Sequence, residues 1–498
     1  MAITALVGLV IIPLIGTGCS REPQRGVERL AILPFSNLTG DAALDWVANA
    51  GPAILSQELA GGTRILPLRV ASVGTAALEN AAQLLHCSFT QRGGSLQIQY
   101  ALEDAGRHRM IATGAVDGSV LIAVNSLARM LDADGARPFS TPNPEAAAAW
   151  GRGEFERAVD LDPDFGTAWA SWIVQTAQAR KPDLAADLAG RALGRAALRT
   201  PLDKAQIQLS YAALRKDEVA RAAALTELVK LAPHDTGPLL ALAAVQRQAR
   251  KYPAAEELYR RVLAIEPMNA DALNSLGYTE GESGDLDAAR KTFEAYGQNP
   301  NQALNALDSL GEVYFMNGRF AEAEKYFAQE SARDPRFLKG APLMKAAYAH
   351  WLGGDLTGAD GLMQKYLAFL AEQNNPLAFW REAVWLYATG RRERAIAALT
   401  KAPPDQAANM ERQRAVWRGE AHIPEDLNQL RTAYQSTNPA ADGLSRTLYA
   451  AALVKAGKVD EARALLKLWP LPESASDSLL QSLMYPRFLE LRKTLGIQ

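Results

Sequence analysis

The sequence predicts a small α/β sheet domain followed by an all-α solenoid of paired helices. Two series of residues recur at a spacing of 34: Ala255, Ala289 and Ala323, and Tyr259, Phe293 and Phe327. Ahead of them, short apolar runs alternate with helical periodicity from residue 28 to residue 133. At 498 residues the chain is also too long for a single core.

The amino-terminal segment comes first. Ala2 to Gly18 contain no charged side chain, and Cys19 follows at once. Such a run suits a signal-peptide core and stands at the short limit for a membrane span. Gly16-Thr17-Gly18-Cys19 resembles the lipobox of bacterial lipoproteins. The resemblance implies a signal peptide over 1–18, lipidation at Cys19 and a tether over 19–27. The body would then be held at the membrane, facing the periplasm. The alternative is an uncleaved anchor. Arg21, Arg25 and Arg29 follow the apolar run, and the positive-inside rule would then leave the body in the cytoplasm.

Residues 28–138 form the sheet domain. Strands are expected at 28–35, 63–69, 86–91, 95–104 and 108–116, with helices at 42–60, 74–85 and 119–133. Ser36-Asn37, Gly93-Gly94 and Asp104-Ala105-Gly106 supply turns. The order βαβαβββα suggests helices packed on one face of the sheet. Cys87 reads as a core residue, with neighbouring His86 on the opposite face of its strand.

Residues 146–470 are expected to hold eight or nine helix pairs. Gly277, Gly311 and Ala289 fall where two backbones should approach closely, and Tyr259, Phe293, Tyr314 and Phe327 fill the gaps between helices. Pro267 and Pro335 end second helices, since proline lacks the donor and restricts the residue before it. Ala158, Ala185, Ala359, Ala395 and Ala462 extend the small-residue series, with spacings of 36 to Ala359 and Ala395 and one double spacing of 67 to Ala462. The stretch 401–445 fits least, and 471–498 reads as a capping helix. A small residue, an aromatic four later and a proline about eight beyond, repeated at 34, resembles the tetratricopeptide repeat. That resemblance implies a superhelix that holds other proteins.

The segment "LAILPFSNLTGD" (30–41), the helix with Leu44-Asp45-Trp46, "RILPLR" and "GSLQIQYALEDA" look like the TolB-type amino-terminal domain. "TPNPEAAAAWGRG" (141–153) matches the point where an Asn-x-Glu-Ala helix begins the repeats of such proteins. The family implies a non-catalytic module of envelope or signalling assemblies.

The concave wall of such a solenoid is lined by the first helix of each pair. Arg247, Asn274, Tyr278, Asp308, Glu312 and Phe315 are placed there, with Tyr278 and Phe315 as anchors for a protein or peptide. A formal net charge of −2 disfavours nucleic acid as partner. No phosphate loop, nucleophile elbow or metal-ligand spacing is present, so no cofactor or metal is expected. Asp160, Asp162 and Asp164 read as helix-capping residues, and Trp169/Trp172 and Trp380/Trp385 as packing. The expected function is a non-catalytic, membrane-tethered scaffold in a bacterial envelope assembly. The alternative is a regulatory or sensory subunit relaying to a separate effector.

Overall fold

The run Leu30-Ala31-Ile32-Leu33 is apolar on both sides, and in the fold both sides are covered. The computed structural model describes residues 27–93, 95–195, 198–376, 378–418, 427–436, 443–467, 491 and 495–496. The expected signal peptide, Cys19, nearly all of the tether, and all but three residues of the capping helix lie outside them.

Strand β1 (Glu28–Ile32) runs between parallel neighbours β3 (Ile65–Arg69) and β4 (Gln83–Arg92). Two antiparallel hairpins then add β5 (Ser95–Asp104) and β6 (Arg109–Gly118), giving the order β3-β1-β4-β5-β6. Leu30, Ile32, Leu85, Cys87 and Phe89 point to the face covered by α1 (Trp46–Leu59) and α3 (Val120–Leu131). Ala31, Leu33 and Leu84 point the other way and meet Ala76 of α2 (Val73–Leu78).

Three expectations are corrected here. The helices do not share one face, because β1 lies inside a parallel unit and needs cover on both sides. The helix expected at 74–85 ends at Leu78, and its strand starts at Gln83 rather than 86. Asn80, left-handed at φ 49°, breaks the helix, and pairing of β4 with β1 claims Gln83–Leu85. The turn at Ser36-Asn37 contains β2 (Ser36–Asn37), a two-residue strand beside Ser88 and Phe89 of β4. The Asn37 side chain still organises the loop, with Oδ1 accepting from Thr39 N at 2.9 Å. Cys87 is a core residue, as read, and burial pushes its thiol up to about 12.

Helix pairs follow: α4 (Pro144–Gly151) with α5 (Phe155–Leu161), α6 (Gly166–Gln178) with α7 (Pro182–Leu193), and α8 (Pro201–Arg215) with α9 (Glu218–Leu231). Asn143 starts the array by accepting from Glu145 N at 3.0 Å and Ala146 N at 3.3 Å. The sheet and these first helices share one hydrophobic core that runs from Leu30 to Ile207. Phe139 anchors the connection, with its ring 5.5 Å from Trp150 and 5.4 Å from Phe165. The next residues are held by buried carboxylates. Ser140 Oγ donates to Asp203 at 2.6 Å, and Thr141 Oγ1 to Asp162 at 2.5 Å. Thr167 Oγ1 adds a bond to Asp203 at 2.8 Å. The chain divides into two compact units between Pro238 and Leu239.

The second unit continues with α10 (Thr236–Gln248), which begins just before the division, and α11 (Tyr252–Ile265). Next come α12 (Ala270–Ser283) with α13 (Leu286–Tyr296), α14 (Ala303–Met316) with α15 (Phe320–Arg333), and α16 (Ala341–Leu352) with α17 (Leu356–Glu372). Then come α18 (Ala378–Ala388) with α19 (Arg392–Ala398), α20 (Ala407–Arg418), α21 (Leu427–Ser436), and α22 (Gly443–Lys455) with α23 (Val459–Lys467). Ala158, Ala185, Ala255, Ala289, Ala323, Ala359, Ala395 and Ala462 are all fully buried. The spacing lengthens from 34 to 36 after Ala323, where a left-handed turn at Leu338, Lys339 and Gly340 separates α15 from α16.

Candidate partner-binding groove

In the strong repeats the glycine of the first helix receives the aromatic of the second. A Cβ at Gly277 would meet the Phe293 ring at 2.6 Å, and Gly311 lies under Phe327 in the same way. The expectation of closest approach between backbones is therefore corrected: each glycine makes room for a ring. Phe293 and Phe327 are fully buried and Tyr259 nearly so, while Tyr314 stacks on Tyr326 with centroids 5.4 Å apart. Pro267 and Pro335 stand just beyond the ends of α11 and α15.

Four of the six residues assigned to the groove, Arg247, Tyr278, Asp308 and Glu312, are linked in an internal network. Arg247 Nε donates to Glu282 at 3.0 Å, and its guanidinium lies 5.6 Å from the centre of the Tyr278 ring. Tyr278 Oη donates to Glu312 Oε2 at 2.7 Å. Asn274 Oδ1 accepts from Ser309 Oγ at 3.1 Å. Lys345 Nζ, from α16, donates to Asp308 Oδ1 at 2.6 Å, Asp308 Oδ2 at 2.8 Å and Glu312 Oε1 at 2.7 Å. The Asp308, Glu312 and Lys345 side chains are each less than a tenth exposed.

Phe315 is not a free anchor. It is 6% exposed, packs edge-on to Phe320 at 5.3 Å, and shares a core with Ala323, Phe327 and Met344. Its offset from Gly311 fitted the groove, but the short link from α14 to α15 draws it into their interface. Tyr278 likewise has its ring edge-on to Phe293 at 5.4 Å. Burial, then the charge of Glu312, raise its hydroxyl pKa well above the ordinary value.

Lys345, a member of this network, and Glu330, which lies beside it, are absent from the sequence reading. Lys345 interrupts the apolar run "APLMKAAYAHW", and a lone cation there is the signal that a buried acid awaits it. Glu330 follows Phe327 by three residues, which puts both on one helix face. It is fully buried.

The tryptophan pairs serve packing. Trp169 stacks on Trp172 at 5.8 Å, Trp380 on Trp417 at 6.1 Å, and Trp385 lies edge-on to Trp351 at 5.7 Å. Asp162 accepts from Thr141, Arg199 and Asp164 N. Burial works against its carboxylate, but these bonds outweigh it and hold the pKa below the ordinary value. His86 and His108 both face Glu103, and His350 faces Glu324 and Asp355. Among the described residues no group of His, Cys, Asp or Glu could hold a metal ion. A cleft of about 520 Å³ is lined by Asp183, Asp187 and Arg191 of α7 and Tyr211 and Arg215 of α8.

Comparison with known proteins bears on the helical region. A TPR repeat-containing protein of Pseudomonas aeruginosa is 32% identical over 114 residues, 22% of this chain and 19% of that protein. Cellulose synthase operon protein C of Pseudomonas fluorescens is 26% identical over 291 residues, 48% of this chain and 22% of that protein. The chain thus spans about a fifth of these relatives' length. The crystal structure of yeast Tom70 is 13% identical and covers 74% of this chain and 92% of its own, with a TM-score of 0.35. Residues 239–273 match the model of the tetratricopeptide repeat. With the 34-residue packing of glycine, alanine and aromatic described above, the chain carries tetratricopeptide repeats.

Proposed function

We propose that this protein is a non-catalytic scaffold, held at the membrane through Cys19, whose repeats bind a protein partner in a bacterial envelope assembly. The observation that carries this reading is the repeat itself. Each strong helix pair spends its apolar residues on its neighbours, and stacked pairs of this kind present a continuous wall to a partner. The relatives named for a cellulose synthase operon support an assembly role. Because Phe315 and Tyr278 are committed inside, the partner contacts fall to exposed polar side chains of the first helices, such as Asp271. Such contacts suit an extended or helical peptide held by many modest interactions.

The test is crosslinking in living cells with tagged full-length protein, comparing wild type with Cys19→Ala. Envelope proteins captured only when Cys19 is present are the expected result. Cytoplasmic partners unaffected by the substitution would overturn the tethered scaffold and favour the regulatory subunit.

A further inference from the structure

Glu330 sits on α15, fully buried; neither carboxyl oxygen meets a donor group at bonding distance among the described residues, and Asp308, itself an acid, is close enough only to take a proton from it. The charged groups facing it are Asp308 and Glu312 from α14 and Lys345 from α16. Tyr278 of α12 stands behind them and donates to Glu312. An ammonium group has three N–H donors. All three of Lys345 are committed, two to Asp308 and one to Glu312. An ionised Glu330 would therefore be a third carboxylate around a cation with nothing left to give it. Burying such an unpaired charge is strongly unfavourable.

The link beyond it is also strained. Leu338 and Lys339 are left-handed, with φ of 44° and 57°, immediately before Gly340 at 76°. Residues with a Cβ pay for that conformation, and opening of the link would relieve it.

We propose that Glu330 is a proton-operated lock on the joint between the α14–α15 pair and α16. As the neutral acid it lets α15 and α16 close over Lys345. As the carboxylate it drives them apart, and Asp308 and Glu312 are released towards the groove positions expected of them.

Burial first, and then the Asp308 charge, push the Glu330 pKa up to about 9 from 4.5. The folded-state pKa lies above the unfolded one, so the closed joint holds a proton that the open joint releases. Its contribution to stability is complete below pH 4.5 and is lost as pH rises through about 9. Between those limits the closing equilibrium weakens by up to about tenfold per pH unit.

Hydrogen exchange on the full-length protein in detergent, without any partner, tests this independently of the scaffold reading. Rates corrected for intrinsic exchange are followed in α15 and α16 from about pH 6 to about pH 10. Wild-type protection there is expected to fall steeply with pH, and in Glu330→Gln to stay level. Glu330→Leu, which can neither ionise nor hydrogen-bond, should stay level too. Peptides from α1 give a separate reading of Glu58 in the first unit, whose carboxyl burial pushes up to about 8. Level protection in wild type, or the same slope in both variants, would overturn the lock.

Discussion

At the junction between sheet and repeats, Asp203 accepts hydroxyl hydrogen bonds from Ser140 and Thr167, whereas in the second unit Glu330 accepts none among the described residues. Both carboxyls are almost completely buried. Hydroxyl groups satisfy a buried carboxylate without adding charge, and they tie the connecting strand to two helices as they do so. At Glu330 the nearby donors already belong to other acids. Burial alone therefore does not decide whether a carboxyl finds partners; the supply of uncommitted donors does.

Ala289→Arg tests whether the second unit's packing outweighs its polar chemistry. It forces an unpaired cation into a fully buried contact of α13, and a loss of about 3–5 kcal/mol in chemical unfolding is expected. A loss no larger than that of a surface change would break the repeat register.

The contrast between the two acids predicts opposite signs. Asp203→Ala removes the acceptor that Ser140 and Thr167 share, leaving Thr167 only its longer bond to Gln57 at 3.2 Å, and is expected to cost about 1–3 kcal/mol at neutral pH. Glu330→Leu removes an acid that accepts no hydrogen bond among the described residues and is expected to leave stability at high pH, where the acid would be ionised, unchanged or improved. If the two variants destabilise equally in urea, the comparison fails.

Glu58 sharpens it further, because it lies between the extremes. One oxygen accepts from Phe139 N at 3.0 Å, while the other has no partner among the described residues. Burial raises its pKa from 4.5 to about 8. Its folded pKa is raised, so junction stability should decline as pH rises between those values. In Glu58→Gln, exchange protection at the junction should lose that pH dependence; a persisting slope would assign it elsewhere.

The smallest effect is expected at Arg290, which pairs with Glu294 one turn along α13 at 2.7 Å. Replacing it by Ala should leave the unfolding curve where it is, since exposed pairs contribute little. A clear shift would mean that this helix face is covered.

Much of the fold was legible because it depends on periodicity. Ala255, Ala289 and Ala323 are buried where the spacing put them, and β5 spans the residues expected of it. The failures have specific causes. Residues 83–85 read as helix until β1 claimed them as a parallel partner. Phe315 had the right offset for the groove, but Phe320 and Phe327 gave it a core to join. Asp308 and Glu312 were found as groove acids without the cation that neutralises them.

By itself the sequence determined the repeat and the sheet domain before it, because small residues, aromatics and prolines at a fixed period act locally, within one helix pair. Only the tertiary structure decided which polar groups would be paired. Lys345 lies 37 residues beyond Asp308, and Glu330 comes between them without a donor among the described residues. Such pairing depends on three helices meeting in space and on how many hydrogens one ammonium can share, and no spacing along the chain records either.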